Sequence, residues 1–166
     1  VYDAFNVYPK LGVISPEKRC GKTTLLTILE AFSCKVLLSA NVTPSSIFRV
    51  VEKTKPTFLI DEADTFIDGR NDELIGIINS GHTKRTASVI RIEGKEFTPK
   101  KFSTWSPMAF ASIKGLAGTI MDRSIVIQLR RRTRTETVVR IPVDFWEDSE
   151  LIRQKLVRWG LDNFND

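Results

Sequence analysis

Apolar residues along this chain fall into short unbroken runs, separated by longer stretches in which they recur every three or four positions. The runs are Leu11–Ile14, Lys35–Ala40 (KVLLSA), Thr57–Ile60, Met108–Ile113 (MAFASI) and Ser124–Leu129 (SIVIQL). Continuous apolar runs of this length fit strands covered on both faces. The periodic stretches predict helices. The first runs from about Lys22 to Phe32, and the second from Pro44 to Lys53 with Ile47, Phe48, Val50 and Val51 inward. Thr43 or Ser45 can cap this second helix, and Pro44 suits its first turn. A third, Asp72 to Ser80, turns Leu74, Ile75, Ile77 and Ile78 inward and ends at Asn79-Ser80-Gly81. Leu116 to Asp122 is a short fourth helix. Strands alternating with helices predict an α/β domain with a mostly parallel five-stranded sheet and helices on both faces.

Four stretches stand outside this alternation. Residues 1–10, with Tyr2, Phe5 and Tyr8, read as a lead-in packed on the first strand. Ala87–Glu93 (ASVIRIE) and Glu96–Ser103 (EFTPKKFS) flank Gly94-Lys95, which predicts a β-hairpin with a two-residue turn. Pro99 makes its second run an edge or bulged strand. Val138–Val143 can add a strand. Asp148 or Ser149 caps a final amphipathic helix carrying Leu151, Ile152, Leu156, Val157 and Trp159. The predicted organisation is one domain over residues 1–166, with a core at 11–141 and a C-terminal helix in 142–166.

Composition adds limits. The 166 residues are 42% hydrophobic and 27% charged, which suits one globular domain with a sizeable core. No apolar run approaches a membrane span, and no secretory leader opens the chain, so the expected setting is the cytoplasm, away from membranes. The first residue is Val1, and the expectation is a piece excised from a longer protein. Two cysteines, Cys20 and Cys34, and the single His82 lack zinc-ligand spacing. A formal charge of +5 favours a polyanionic partner.

The chemistry concentrates in Ser15–Thr24 (SPEKRCGKTT), between the first strand and first helix. Its end, Gly21-Lys22-Thr23, is the second half of a P-loop. Phosphates need backbone N–H groups aimed at them, and a glycine lets the backbone come close. The helix that starts here adds partial positive charge. Pro16, Glu17, Lys18, Arg19, Cys20, Gly21, Lys22, Thr23 and Thr24 are therefore the candidate nucleotide-binding residues. Lys22 would reach the β- and γ-phosphates, and Thr23 would place its hydroxyl on Mg²⁺. Pro16 stands where the motif has its first glycine, which removes one N–H donor. The strand Thr57–Ile60 ends in Asp61-Glu62, at the edge where open α/β sheets bind ligands. Asp61 would hold the Mg²⁺ shell and Glu62 would orient the attacking water. The alternative is that they only begin a solvated loop with Asp64 and Asp68. His82 is structural or ligand-sensing. Arg49 and the basic run Arg130, Arg131, Arg132 and Arg134 are solvated or face a polyanion. Arg91, Lys95, Lys100 and Lys101, interleaved with Phe97, Phe102 and Trp105, make the hairpin either a lysine-protected edge or a nucleic-acid contact.

The order of parts, ending in a helix plus Arg123 and a strand, resembles the AAA+ branch of P-loop NTPases. The segments SPEKRCGKTTLL, FLIDEAD, IINSGHTKR and MDRSIVIQLRRR resemble the P-loop domain of primase–helicase-type proteins of phages, plasmids and integrated elements. The resemblance covers nearly the whole chain, and the Pro16 form of the loop looks ordinary for that group. It implies Lys22 and Thr23 as Walker A residues and Asp61 and Glu62 as the Walker B pair. Ser112 falls at the sensor-1 position, usually Asn or Thr, and Arg123 at an arginine finger that serves a neighbouring subunit. It implies a pre-sensor hairpin before the fourth strand, a helical lid largely cut off after the last helix, and a homo-oligomer. The implied activity is Mg²⁺-dependent ATP hydrolysis acting on DNA. The alternatives are a nucleotide-binding switch without productive hydrolysis and, further off, a small-molecule kinase.

Overall fold

The computed structural model describes residues 4–65, 67 and 71–163. In chain order its elements are β1 (Lys10–Ser15), α1 (Lys22–Phe32), β2 (Val36–Ser39), α2 (Pro44–Thr54), β3 (Thr57–Ile60), α3 (Asp72–Ser80), β4 (Ser88–Glu93), β5 (Thr98–Ser103), β6 (Met108–Ile113), α4 (Gly118–Met121), β7 (Ser124–Gln128) and α5 (Phe145–Asp162). Five strands form one parallel sheet in the order β2-β3-β6-β1-β7, and β4 and β5 form a separate antiparallel pair.

Alternation along the central strands explains the layering. Phe58, Ile60, Met108 and Phe110 pack with Ile47, Phe48 and Val51 of α2, Leu74, Ile77 and Ile78 of α3, and Ile120 of α4. The intervening Leu59, Ala109 and Ala111 face Leu26 of α1 on the other side. Period-two side chains thus build two cores from one set of strands. The small alanines let α1 lie close on its face. The larger Phe and Ile side chains fill the layer against α2, α3 and α4. Phe145 of α5 meets Phe32 of α1 edge-on, with ring centroids 6.3 Å apart. α2 starts at the capping box of Thr43 and Ser46, which satisfies donors at both positions.

Several expectations change. The hairpin turn spans four residues, with Phe97 N–H donating to the Gly94 carbonyl at 3.3 Å and both residues at positive φ. Pro99 pairs with Ile92 in unbroken register, because the hairpin's free edge needs no N–H there. Residues 138–143 form no strand. Val138, Val139 and Val143 are exposed, and Pro142 interrupts the run. The last helix starts at Phe145, so Ser149 lies inside it, donating to the Phe145 carbonyl at 2.5 Å. Leu151, Ile152, Leu156, Val157 and Trp159 of that helix are exposed, so its apolar stripe covers no core among the described residues.

The lead-in packs elsewhere too. Tyr8 stacks on Trp105 and donates its N–H to the His82 carbonyl (2.9 Å), and Val7 bridges to Thr83. Tyr2 and Asp68 lie outside the described residues. No helix among those residues is long and apolar enough to cross a membrane.

Candidate functional site

β1 enters the 15–24 loop at the carboxyl edge of the sheet, flanked by β6 and β7. Leu129 N–H donates to the Ile14 carbonyl (2.7 Å) and Lys114 N–H to the Ser15 carbonyl (2.9 Å), so pairing on both sides holds up to the loop's first residue. The loop turns through left-handed Arg19 (φ 64°) and Gly21 (φ 88°) into α1. That helix starts with no side-chain cap and no acidic residue in its first turn. Its leading N–H groups and the positive end of its dipole therefore face the loop. Lys22 Nζ donates to Ser15 Oγ at 2.8 Å, and Ser15 Oγ donates to the Glu17 carbonyl at 2.6 Å.

In the first turn of α1, Thr23 Oγ1 donates to Asp61 Oδ2 at 2.8 Å, joining residues 38 positions apart. β3 ends at Ile60, and Asp61 N–H donates to the Ser39 carbonyl, which fixes the carboxylate beside the helix start. A cleft of about 340 Å³ lined by Thr23, Leu26, Thr27, Leu38, Ser39, Ala40 and Asp61 opens next to this pair. A hydroxyl and a carboxylate converging here are hard oxygen donors of the kind Mg²⁺ takes.

Glu62 is exposed and held in the left-handed region at φ 52°. A non-glycine residue persists there only when its surroundings fix it. They do: its N–H donates to Asp61 Oδ1 (2.9 Å), and its carbonyl accepts from Thr65 N (3.0 Å) and Thr65 Oγ1 (2.8 Å). Asp64 accepts from Ile113 N–H at 3.0 Å, tying this loop to the end of β6.

The other expected residues divide. Ser112 lies level with Ile14 in register, beside the loop. Its hydroxyl instead donates to the Gly115 carbonyl (2.6 Å) and closes the turn after β6, a use its short side chain favours. Arg123 lies at the amino edge, where its carbonyl accepts from Lys10 N–H (2.8 Å) and its guanidinium donates to the Thr119 carbonyl (2.8 Å). The six residues of β1 put that edge about 20 Å from Ser15. Arg123 therefore cannot serve its own chain's loop.

His82 lies at the amino edge as well, away from the 15–24 loop, with Nδ1 3.2 Å from the Tyr8 carbonyl. The hairpin cations do not share a face. Arg91 pairs with Glu73 (2.7 Å) and lies 5.2 Å from the Phe48 ring centroid, while Lys100 pairs with Glu93 (3.4 Å). Arg91 ties the hairpin to α3 and an Arg49–Glu93 pair at 2.9 Å ties it to α2, while the Lys100 pair stays within the hairpin. Lys101, opposite exposed Ile90, lies on the other face of the hairpin from that set, and Lys95 is exposed in the turn.

Two contacts were not foreseen. Ser15 is the partner of Lys22 at the loop. The run after β7 also returns to the loop: Arg131 Nη2 lies 3.4 Å from Glu17 Oε2 and 3.4 Å from the Lys18 carbonyl. Its neighbour Arg130 is bound to Glu136, whose carboxyl is held down to about 2 by that guanidinium and by the Thr133 N–H. The signal for Arg131 is topological. Residues after β7 are near the loop only because β7 pairs with β1.

No protein-family model matches this sequence, and no curated protein matches it significantly.

Proposed function

We propose that this chain is a P-loop NTPase module of the AAA+ type, hydrolysing ATP with Mg²⁺ and acting on DNA within a homo-oligomer. The observation that carries the reading is the Thr23–Asp61 hydrogen bond (2.8 Å) at an uncapped helix start that also bears Lys22. A hydroxyl, a carboxylate and a lysine meeting around free helix N–H groups form a polyphosphate site with a cation position. β6 lies between β1 and β3, so the loop and the acidic pair flank one central strand end, at the edge where such sheets bind ligands.

In this mechanism the loop N–H groups and Lys22 bind the phosphates. Thr23 and Asp61 would hold Mg²⁺, which, when bound, neutralises charge on the phosphate oxygens. Glu62, fixed by Thr65 and by the Asp61 carboxylate, orients water towards the terminal phosphate. Arg123 serves the site of a neighbouring copy, since it lies at the far edge of its own. Lys95, Lys101 and exposed Phe97 are the hairpin groups open to DNA.

The same separation of Arg123 from the loop favours a second reading, a nucleotide switch that does not turn over. The test uses two variants with Mg·ATP. Lys22→Met should weaken nucleotide binding, and Glu62→Gln should keep binding while turnover falls by about a hundredfold or more. Intact binding in Lys22→Met would overturn the reading. Binding in the parent without any turnover, at any protein concentration or with DNA, would select the switch.

A further inference from the structure

The run Arg130–Arg134 has no part in the mechanism above, yet the fold carries it to the loop. β7 pairs with β1 along its length, and Leu129 extends that pairing to Ile14. The chain therefore leaves β7 one residue from the place where β1 enters its loop. Arg130 is already held, bidentate, by Glu136. Arg131 is the member of the run whose guanidinium rests on the loop, 3.4 Å from both Glu17 Oε2 and the Lys18 carbonyl.

Charge gives this contact a direction. Lys18, Arg19 and Lys22 stand against one carboxylate, Glu17, in residues 15–24, and Arg131 adds a fourth cation. Glu17 and Arg131 are each about half exposed, at 50% and 52% of their side chains. A screened pair of this kind contributes little to holding the fold, and both partners can rearrange without opening a core. A guanidinium presents a planar fork of donors that suits phosphate oxygens better than a single carboxylate oxygen at 3.4 Å.

We infer that Arg131 is a phosphate-binding residue of its own chain's nucleotide site, with Glu17 the carboxylate that competes for its guanidinium. The inference rests on the nucleotide-site reading and adds to it a cis arginine distinct from Arg123. Binding of phosphate would exchange the Glu17 contact for charge-assisted bonds to phosphate oxygen. Glu17 thereby becomes a restraint on affinity.

The test measures equilibrium binding of a fluorescent ATP analogue and of AMP, with Mg²⁺, at protein concentrations where the chain is monomeric. Arg131→Ala should weaken binding of the triphosphate about tenfold or more, with AMP affected less. Glu17→Gln should leave triphosphate binding unchanged or tighten it. Equal triphosphate affinity in Arg131→Ala and the parent would overturn the inference. So would a parallel loss in Glu17→Gln, because Arg131 would then act only by propping the loop. Lys22→Met keeps the two levels apart: if it too binds normally, the site reading itself has failed.

Discussion

β1 ends in a lysine contact on both sides of the sheet, and the two contacts are opposites. At the carboxyl edge, Lys22 reaches the Ser15 hydroxyl from a half-open position on α1. At the amino edge, Lys10 is 1% exposed and donates to the carbonyls of Gly81 (3.1 Å) and Ser106 (3.3 Å). Around it the hydroxyls of half-buried Ser80 and of buried Thr104 and Ser106 all find partners inside the fold, Ser106 on the Pro56 carbonyl. Glycines show the same contrast. A Cβ on Gly21 would meet nothing within 4 Å, whereas one on Gly81 would lie 2.2 Å from the Thr104 carbonyl oxygen. The same residue types serve two ends. One edge leaves its donors facing open space, as a ligand site requires. The other fills that space with the chain's own backbone and locks the hairpin's return to β1 and α3.

The sharpest way to break this contrast is to add one methyl group at the closed edge. Gly81→Ala has no flexible neighbour to displace, since the obstacle is backbone. The expected loss is upwards of about 3 kcal/mol, towards the high end for overpacking. For a chain of this size that lowers Tm by roughly 6–12 °C. A calorimetric Tm within about 2 °C of the parent would mean the amino edge is looser than its packing implies.

The next effect is linked to pH. Burial pushes Lys10 down from 10.5 to about 7. Between those values the unfolded chain holds a proton on Lys10 that the folded chain has released. Stability therefore rises with pH across this window, by up to about 1.4 kcal/mol per pH unit. Below about pH 7 the folded chain must bury a cation, and the full penalty applies. Lys10→Met should flatten the slope between pH 7 and 10 in denaturant titrations, whatever its effect at a single pH. An unchanged slope would place the linkage in another group.

How legible each edge was in the sequence follows from the range of its contacts. The loop, α1 and the acidic end of β3 are contiguous segments whose residue types declare themselves, so Lys22, Thr23, Asp61 and Glu62 could be named from spacing alone. The five strands were equally plain, because a parallel sheet writes them as apolar runs, although the edge strands β2 and β7 leave Leu37, Leu38, Ile125 and Val126 exposed where burial on both faces was expected. The closed edge was opaque. Lys10 closed what looked like a lead-in, Gly81 looked like an ordinary helix stop, and Ser106 followed a hairpin. Their contacts span 71 and 96 residues, and no local pattern encodes them. Arg131 was hidden for the same reason, since its neighbour depends on the pairing of β7 with β1. Ser112 and the 138–143 run misled in the other direction. A polar residue at a strand end and an alternating valine run each fit a local rule, but a turn carbonyl claimed the serine and no strand edge received the valines.

The smallest expected effect on stability sharpens the comparison most. Lys22→Met makes the same chemical change at the open edge as Lys10→Met does at the closed one. Lys22 is only partly covered, and its bond to Ser15 Oγ is expendable, because that hydroxyl keeps its own bond to the Glu17 carbonyl (2.6 Å). No buried polar atom loses its last partner, so the change in unfolding free energy should stay within about 0.5 kcal/mol. Removing a cation that sits near Lys18 and Arg19 also relieves some repulsion, which biases the result towards stabilisation. Chemical denaturation of the parent and the variant without nucleotide reads this directly. A loss above about 1 kcal/mol would make Lys22 a structural residue like Lys10, and the two ends of β1 would then differ in exposure but not in role.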